Sequence, residues 1–330
     1  MSFQRLKNRA MRGGGAVLAV AAFLMTAAPA SAADYPSRPV RLVVPYGPGG
    51  TGDVIARVLS ARLGAALGQP VVVENRPGGA GVIGATTVKS SEPDGYTLLL
   101  GFTTEMVVSP SVVRGLSYQT DRDFQPVAFA GTTPLLLVAH PSVGARTMQS
   151  LISNAKSKPI SYASGGKGSP SHIAGALLAK AAGIDMLHVP YKGGSQAVAD
   201  LLAGNINIYF SGIPPAIPYV KAGKLIALGV TSTHPSPALP ETPALATTFP
   251  QLDLSGWFGV FVPKQVPAPI VEKLNKEIVA ALQIPEVRLK LLEQGVEIKP
   301  MSPQQFGAFV DAERKKYERL VRELNITQEQ

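Results

Sequence analysis

Two rhythms of apolar and polar positions alternate along this chain. Short β-branched runs give way to turn residues, and these lead into stretches with apolar side chains at helical spacing. The run Val40 to Val44 passes through Pro45, Tyr46, Gly47, Pro48, Gly49, Gly50, Thr51, Gly52 and Asp53 into a helical pattern over residues 54–67. Further strands are predicted over residues 71–73, 96–101, 160–163, 186–190, 206–210 and 225–231, with helices over 147–155, 172–181, 195–202 and 214–222. Two longer apolar stretches, 127–139 and 254–262, are placed to cross between two lobes. Three helices close the chain, over 268–282, 285–294 and 303–324. In the last of these Phe306, Phe309, Val310, Tyr317, Leu320, Val321 and Leu324 share one face. Strands alternating with helices predict an α/β fold. The echo of Val44-Pro45-Tyr46 in Val189-Pro190-Tyr191 suggests two lobes built alike.

Glycine-rich turns between a strand and a helix build anion sites. Glycine lets the backbone approach a ligand closely, and the first helical turn presents unpaired N–H groups and a partial positive charge. The first turn also satisfies GxGxxG at Gly47, Gly49 and Gly52, and Glu74 ends the next strand where a ribose-binding acid would stand. A dinucleotide enzyme and a receptor for small anions are therefore both open. The N-terminus weighs against the enzyme. Arg5, Lys7, Arg9 and Arg12 precede an uncharged run over residues 13–28, followed by Ala30-Ser31-Ala32. Residues 1–32 read as a secretory signal peptide cleaved near Ala32, which predicts a periplasmic protein. Without a paired-arginine motif the chain is expected to be exported unfolded, into a compartment with little NAD.

Composition narrows the classes further. The 330 residues carry 31 Lys and Arg against 22 Asp and Glu, a net charge of +9. Removing residues 1–32 takes away four basic side chains and leaves 27 against 22, or +5. Those charges intersperse with Glu in the C-terminal helices, so no nucleic-acid partner is expected. A mild positive field suits an anionic ligand. The absence of cysteine removes disulfides, thiolate catalysis and thiolate metal sites. His140, His172, His188 and His234 show no metal-ligand spacing. No GxSxG elbow occurs, and the GGKGS at 165–169 lacks the glycine a P-loop requires. No catalytic residue, metal or cofactor is expected. The competing reading is a secreted α/β enzyme, dinucleotide-dependent or hydrolytic, using the loop at 47–52.

Several segments together resemble one family. They are PYGPGGTGDVIAR (45–57), ENRPGGAGVIGA (74–85), PDGYTLL (93–99), YASGGKGSPSHIAG (162–175), HVPYKGGSQAVADLLAGNINIYF (188–210), AGKLIALGVTS (222–232) and GWFGVFVPKQVPAPIVEKLN (256–275). In this order they resemble the tripartite tricarboxylate transporter substrate-binding proteins, also called Bug receptors. The resemblance implies a two-lobed type II periplasmic-binding-protein fold of the Venus flytrap kind. Each lobe would be a central mixed sheet flanked by helices, and two crossing strands would join them. Lobe 1 is expected over residues 33–133 and 254–330, and lobe 2 over 134–253. It also implies a monomeric receptor rather than an enzyme, clamping a small carboxylate, a di- or tricarboxylate. Its partners would be the membrane subunits of such a transporter or a sensor kinase.

Carried onto matching positions, the resemblance gives a ligand-binding set. From the first loop come Tyr46, Gly49, Gly50, Thr51, Gly52 and Asp53; from the second, Ser164, Gly166, Lys167, Gly168, Ser169, Ser171 and His172. Thr103, Tyr191 and Phe210 complete it. Structural readings stand beside these. Asp53 reads as an N-cap, Arg57 as the partner of an acid, Glu74, Asn75 and Arg76 as turn residues, and Tyr46 as either a cleft wall or simple packing. His172 reads as a residue bonding its own loop. Lys167 and Ser211 depart from the family pattern, standing where a small or amide residue and an acid are common. Both changes would shift the cleft toward dianions, unless Lys167 points to solvent.

Overall fold

In a computed structural model of the protein, residues 35–326 are described; the predicted signal peptide lies outside them. Nine strands are present among these residues: β1 (Val40–Val44), β2 (Val71–Asn75), β3 (Thr97–Phe102), β4 (Phe124–Ala139), β5 (Ile160–Ser164), β6 (Met186–Pro190), β7 (Ile208–Gly212), β8 (Ile226–Val230) and β9 (Ser255–Pro263). They follow the order β2-β1-β3-β9-β4-β7-β5-β6, with β8 also paired to β4.

The path holds two sheets that share β4. In the first, β1 pairs in parallel with β2 and β3, and β9 runs antiparallel between β3 and β4. In the second, β5 pairs in parallel with β6 and β7, and β7 and β8 run antiparallel to β4. The hand-over falls between adjacent residues: Pro134 pairs with Ser255 of β9, and Leu135 pairs with Gly212 of β7. The returning chain passes the same level, since Leu254 N–H still bonds the Thr231 carbonyl before Ser255 enters the first sheet.

Each sheet is fed by one repeated unit. In the first it is β1, the helix Thr51–Leu67, β2, the helix Val82–Lys89, then β3. In the second it is β5, the helix Pro170–Ala182, β6, the helix Gly194–Leu202, then β7. This corrects the alignment suggested by Val189-Pro190-Tyr191. Those residues end the edge strand β6, so their counterpart follows β2; the counterpart of Val44-Pro45-Tyr46 is the turn after β5. Position in the sheet separates them, because β1 is buried apart from Arg41 whereas β6 leaves Leu187 67% exposed.

The core explains the closing helices. Pro303–Glu323 buries Phe306, Val310, Tyr317 and Val321, and its Phe306 and Phe309 rings meet Phe129 and Trp257 edge-on. Helical spacing set that face. One segment left unassigned by periodicity turns out to be helical and buried: Thr104–Val108 forms a π-helical turn that continues into the helix Ser109–Val112.

Candidate functional site

Four helices start at one cavity. The first glycine-rich turn ends in Gly50, the N-cap of Thr51–Leu67, so the helix begins three residues before the predicted boundary. Its first backbone bond runs from Val54 N–H to the Gly50 carbonyl, which leaves the earlier N–H groups without intrahelical partners. In the second lobe Ser169 caps Pro170–Ala182 and Gly193 precedes Gly194–Leu202. A fourth helix, Ile213–Lys221, also begins there, but Pro214 and Pro215 have no N–H to offer; in Pro170–Ala182 the proline and the Ser169 cap on His172 N–H leave Ser171 N–H uncapped in the first turn.

The cavity between the two sheets has a volume of about 500 Å³. Of the expected ligand positions, Tyr46, Gly50, Thr51, Gly52, Ser169, Ser171 and Phe210 line it. The lining brings in others that sequence reasoning did not single out: Phe102, Thr104, Phe258, Leu135, Tyr209, and the turn from Lys192 to Gln196. That turn carries the same strand, glycine pair and helix signal as the first two, which could have identified it. Lys192 is the one charged side chain in the lining among the described residues, and no Asp or Glu faces in.

Gly49, Asp53, Thr103, Ser164, Gly166, Lys167, Gly168, His172 and Tyr191 are not among the lining residues. Their bonds show where most of them are engaged. Asp53 is the third residue of its helix and not the N-cap. Its carboxylate accepts from Gly49 N–H (3.0 Å), Arg57 Nε (2.9 Å) and Asn75 Nδ2 (3.1 Å). Burial works against its charge, but those three donors together hold its carboxyl below the usual range. Thr103 is fully buried and its Oγ1 accepts the Trp257 backbone N–H. Ser164 Oγ donates to the Gly166 carbonyl and shares a 2.6 Å bond with His188 Nε2. His172 Nδ1 accepts from Gly168 N–H, and its ring stacks on His188 at 3.8 Å. The two imidazoles are held neutral: burial lowers His172 to about 3, helped by His188 and Lys167, and lowers His188 to about 4, helped by Lys167. Tyr191 Oη donates to Asp200 on the helix Gly194–Leu202. The second loop is thus stapled by hydroxyls and imidazoles, with Ser171 Oγ accepting from Gly165 N–H and Ser169 Oγ donating to the Gly166 carbonyl.

The floor is aromatic. Phe102 and Phe258 are register partners on β3 and β9, and their rings stack at 4.7 Å and 23°, with Tyr46 edge-on to Phe102 at 5.8 Å. Gly256 leaves room for this arrangement, since a Cβ there would lie 2.7 Å from the Phe102 ring. Behind the floor sits Glu105, which sequence reasoning missed: a lone acid directly before the apolar stretch Met106 to Val108 was its one signal. It is fully buried, accepts from Tyr46 Oη at 2.8 Å and from Phe102 N–H, and burial raises its carboxyl to about 8.

The two lobes meet across the cavity. Ser195 Oγ donates to the Pro48 carbonyl at 3.2 Å, and a side chain at Gly212 would collide with Thr51 Oγ1. The arrangement is a closed one, holding helix starts from both lobes around a space of ligand size.

Comparison with known proteins agrees with this architecture. Residues 55–326 match the family described as tripartite tricarboxylate transporter family receptor. Protein BugT of Bordetella pertussis is 36% identical over 301 residues, spanning 90% of this chain and 92% of BugT. Among solved structures, R. palustris Rpa4515 with adipate is 33% identical with a TM-score of 0.86, covering 89% of this chain and 99% of its own. MatC from Rhodopseudomonas palustris with bound malate is 31% identical with a TM-score of 0.82, covering 87% and 100%. The matched family is one of receptors, so the enzyme reading of the loop at 47–52 gives way to a binding role. The chain belongs to the tripartite tricarboxylate transporter receptor family.

Proposed function

We propose that this protein is a periplasmic receptor that closes two lobes over a small carboxylate and delivers it to the membrane subunits of a tripartite tricarboxylate-type transporter or to a sensor kinase. One observation carries the reading: helix starts from both lobes line a single cavity that no carboxylate side chain enters. Backbone N–H groups there are unpaired within their helices, and hydrogen bonds to a charged acceptor are worth about 1.5–3 kcal/mol each. The adipate and malate of the two solved relatives favour the same ligand class.

Lobe 1 is taken as residues 33–133 with 254–330 and lobe 2 as 134–253, hinged where pairing passes from Pro134 to Leu135 and from Leu254 to Ser255. A ligand touching both lobes draws a pre-existing population toward the closed form, which a monomeric receptor presents to its membrane partner. Calorimetry of the purified protein against citrate, C4–C6 dicarboxylates, aromatic dicarboxylates and amino acids tests the ligand class. One carboxylate bound per chain without turnover is expected, and binding only to neutral sugars or cations refutes it. Small-angle scattering should show a smaller radius of gyration with ligand.

A further inference from the structure

We infer that Glu105, which stands outside the cavity, is a positioning residue for ligand capture: as a neutral acid it braces the face of the first lobe on which the glycine-rich turn of the second lobe closes. This rests on the carboxylate reading above and adds to it a group that acts on the ligand through others. The first support is where the two carboxyl oxygens go. Oε1 accepts the Phe102 N–H and Oε2 lies 2.8 Å from Tyr46 Oη, and both Phe102 and Tyr46 line the cavity. The turn Gly79–Gly81 rests on the same carboxyl, since a Cβ at Gly81 would lie 2.7 Å from Oε2. One fully buried side chain thus joins the turn after β1, the turn after β2 and the end of β3.

The second support is what meets that junction from the other lobe. A Cβ at Gly166 would lie 3.4 Å from Ala80 Cβ, and one at Gly168 would lie 3.2 Å from Val108 and 3.3 Å from Val112. Val108 ends the π-helical turn that carries Glu105, and Ala80 precedes Gly81. Ala80 is held at φ 52°, a left-handed conformation that a non-glycine residue keeps when its surroundings impose it.

The third support is the placement of one proton. Tyr46 Oη lies within bonding distance of Glu105 Oε2 and of the Ala80 carbonyl, at 2.8 and 3.3 Å, and has a single hydrogen to give. When Glu105 is neutral its own O–H donates to Tyr46 Oη, and the phenol donates to Ala80, the residue that meets Gly166. When Glu105 is ionised the phenol turns to the carboxylate and the Ala80 carbonyl is released. A charge then also stands behind the wall of Tyr46 and Phe102, where it repels an anion in the cavity through a poorly screening interior. Among the described residues no Lys, Arg or His acts on Glu105. The titratable groups facing it are Tyr46 and Tyr118, both pushed up chiefly by burial. The helix Pro303–Glu323 packs on the same turn, and there Glu313 pairs with Lys316 and acts on Tyr317. Burial raises the Glu105 carboxyl to about 8, so its ionisation lies within experimental reach.

Adipate, malate, citrate and terephthalate are the probes, titrated calorimetrically into the purified protein between about pH 6.5 and 9.5. The tightest binder of the four should lose about fourfold or more in affinity across that range, since an anion that favours the neutral acid binds more weakly as the acid ionises. Near pH 8, titrations in two buffers of different ionisation enthalpy should show proton uptake on binding. Glu105→Gln, whose amide can donate to Tyr46 and accept from Phe102, should stay within about threefold of the wild-type affinity at pH 6.5, lose less than about twofold by pH 9.5 and take up no proton. A flat wild-type profile without proton uptake overturns the inference and leaves the carboxylate reading standing, and that measurement needs no variant. An equal alkaline loss in Glu105→Gln, shown by thermal melts to be folded, overturns it as well. If none of the four acids binds at any pH, the carboxylate reading falls and the role of Glu105 falls with it.

Discussion

In the first lobe the turn after β1 is held by a charge; in the second the equivalent turn after β5 is held by neutral groups. Asp53 ties Gly49, Asn75 and Arg57 together, whereas Ser164, Ser169, Ser171, His172 and His188 staple the second turn through hydroxyls and imidazoles. Both turns follow the central strand of the same βαβαβ unit and both leave a helix start facing the cavity. What the cavity requires is therefore the exposed N–H groups, and each lobe reaches that end with its own lock. The locks differ in electrostatic consequence. Asp53 offsets its negative charge locally with Arg57, while the histidine pair stays uncharged, so neither places a formal anion against the ligand.

The contrast is broken most severely at Asp53. Asp53→Ala strips the acceptor from Gly49, Asn75 and Arg57 together, and a loss of about 2–3 kcal/mol is expected in denaturant unfolding. Much of it should come from the Gly49 and Asn75 donors, because Arg57 is largely exposed and its ion pair contributes little. Next in size is the response to acid. His172 and His188 titrate lower in the folded chain than in the unfolded one, so the unfolded chain takes up more protons below about 6.5. Stability is thus present above pH 6.5 and lost as pH falls toward 4 and then 3. Glu105 has the opposite sign, since its folded carboxyl is raised to about 8. Its contribution is present below about pH 4.5 and declines as pH rises toward 8, and Glu105→Gln should flatten that alkaline limb in thermal melts taken across pH.

Ser164→Ala should cost less than Asp53→Ala, about 1–2 kcal/mol, because the partners it unpairs, the His188 imidazole and the Gly166 backbone groups, are neutral, whereas Asp53 accepts as a carboxylate. Equal losses would show that the two locks are energetically alike. The smallest effects are expected from lysines. Lys192, exposed at the cavity rim, should contribute by field alone, so Lys192→Met should weaken a dianion about two- to threefold with a shallower salt dependence. Lys167→Ala should change the affinity less than that, since Lys167 does not line the cavity. A tenfold loss there would mean that its ammonium reaches the ligand after all.

Strand and helix order, the crossing stretches and both glycine-rich turns were legible because each is a local pattern: β-branched runs, period 3.6, and glycine before a helix. Boundaries slipped where capping overruled apolar periodicity, as at Thr51, which starts a helix before its first apolar residue. The buried segment after β3 was illegible for another reason. Thr103, Thr104, Glu105 and Ser109 are polar residues in a buried helical stretch, and their environment includes Tyr46 and Trp257, far away in sequence.

By itself, then, the sequence determined an α/β chain with repeated strand-to-helix turns suited to anions, since backbone geometry at glycine and the helix start depends only on neighbours. The tertiary structure decided which of those turns share a cavity and what else lines it. Inserting β9 between β3 and β4 brings Phe258 onto Phe102, and passing β4 from one sheet to the next sets Gly193 to Gln196 opposite Pro48 and Thr51. Those meetings depend on register between strands 77 residues apart at Leu135 and Gly212 and 156 apart at Phe102 and Phe258, which local pattern does not encode.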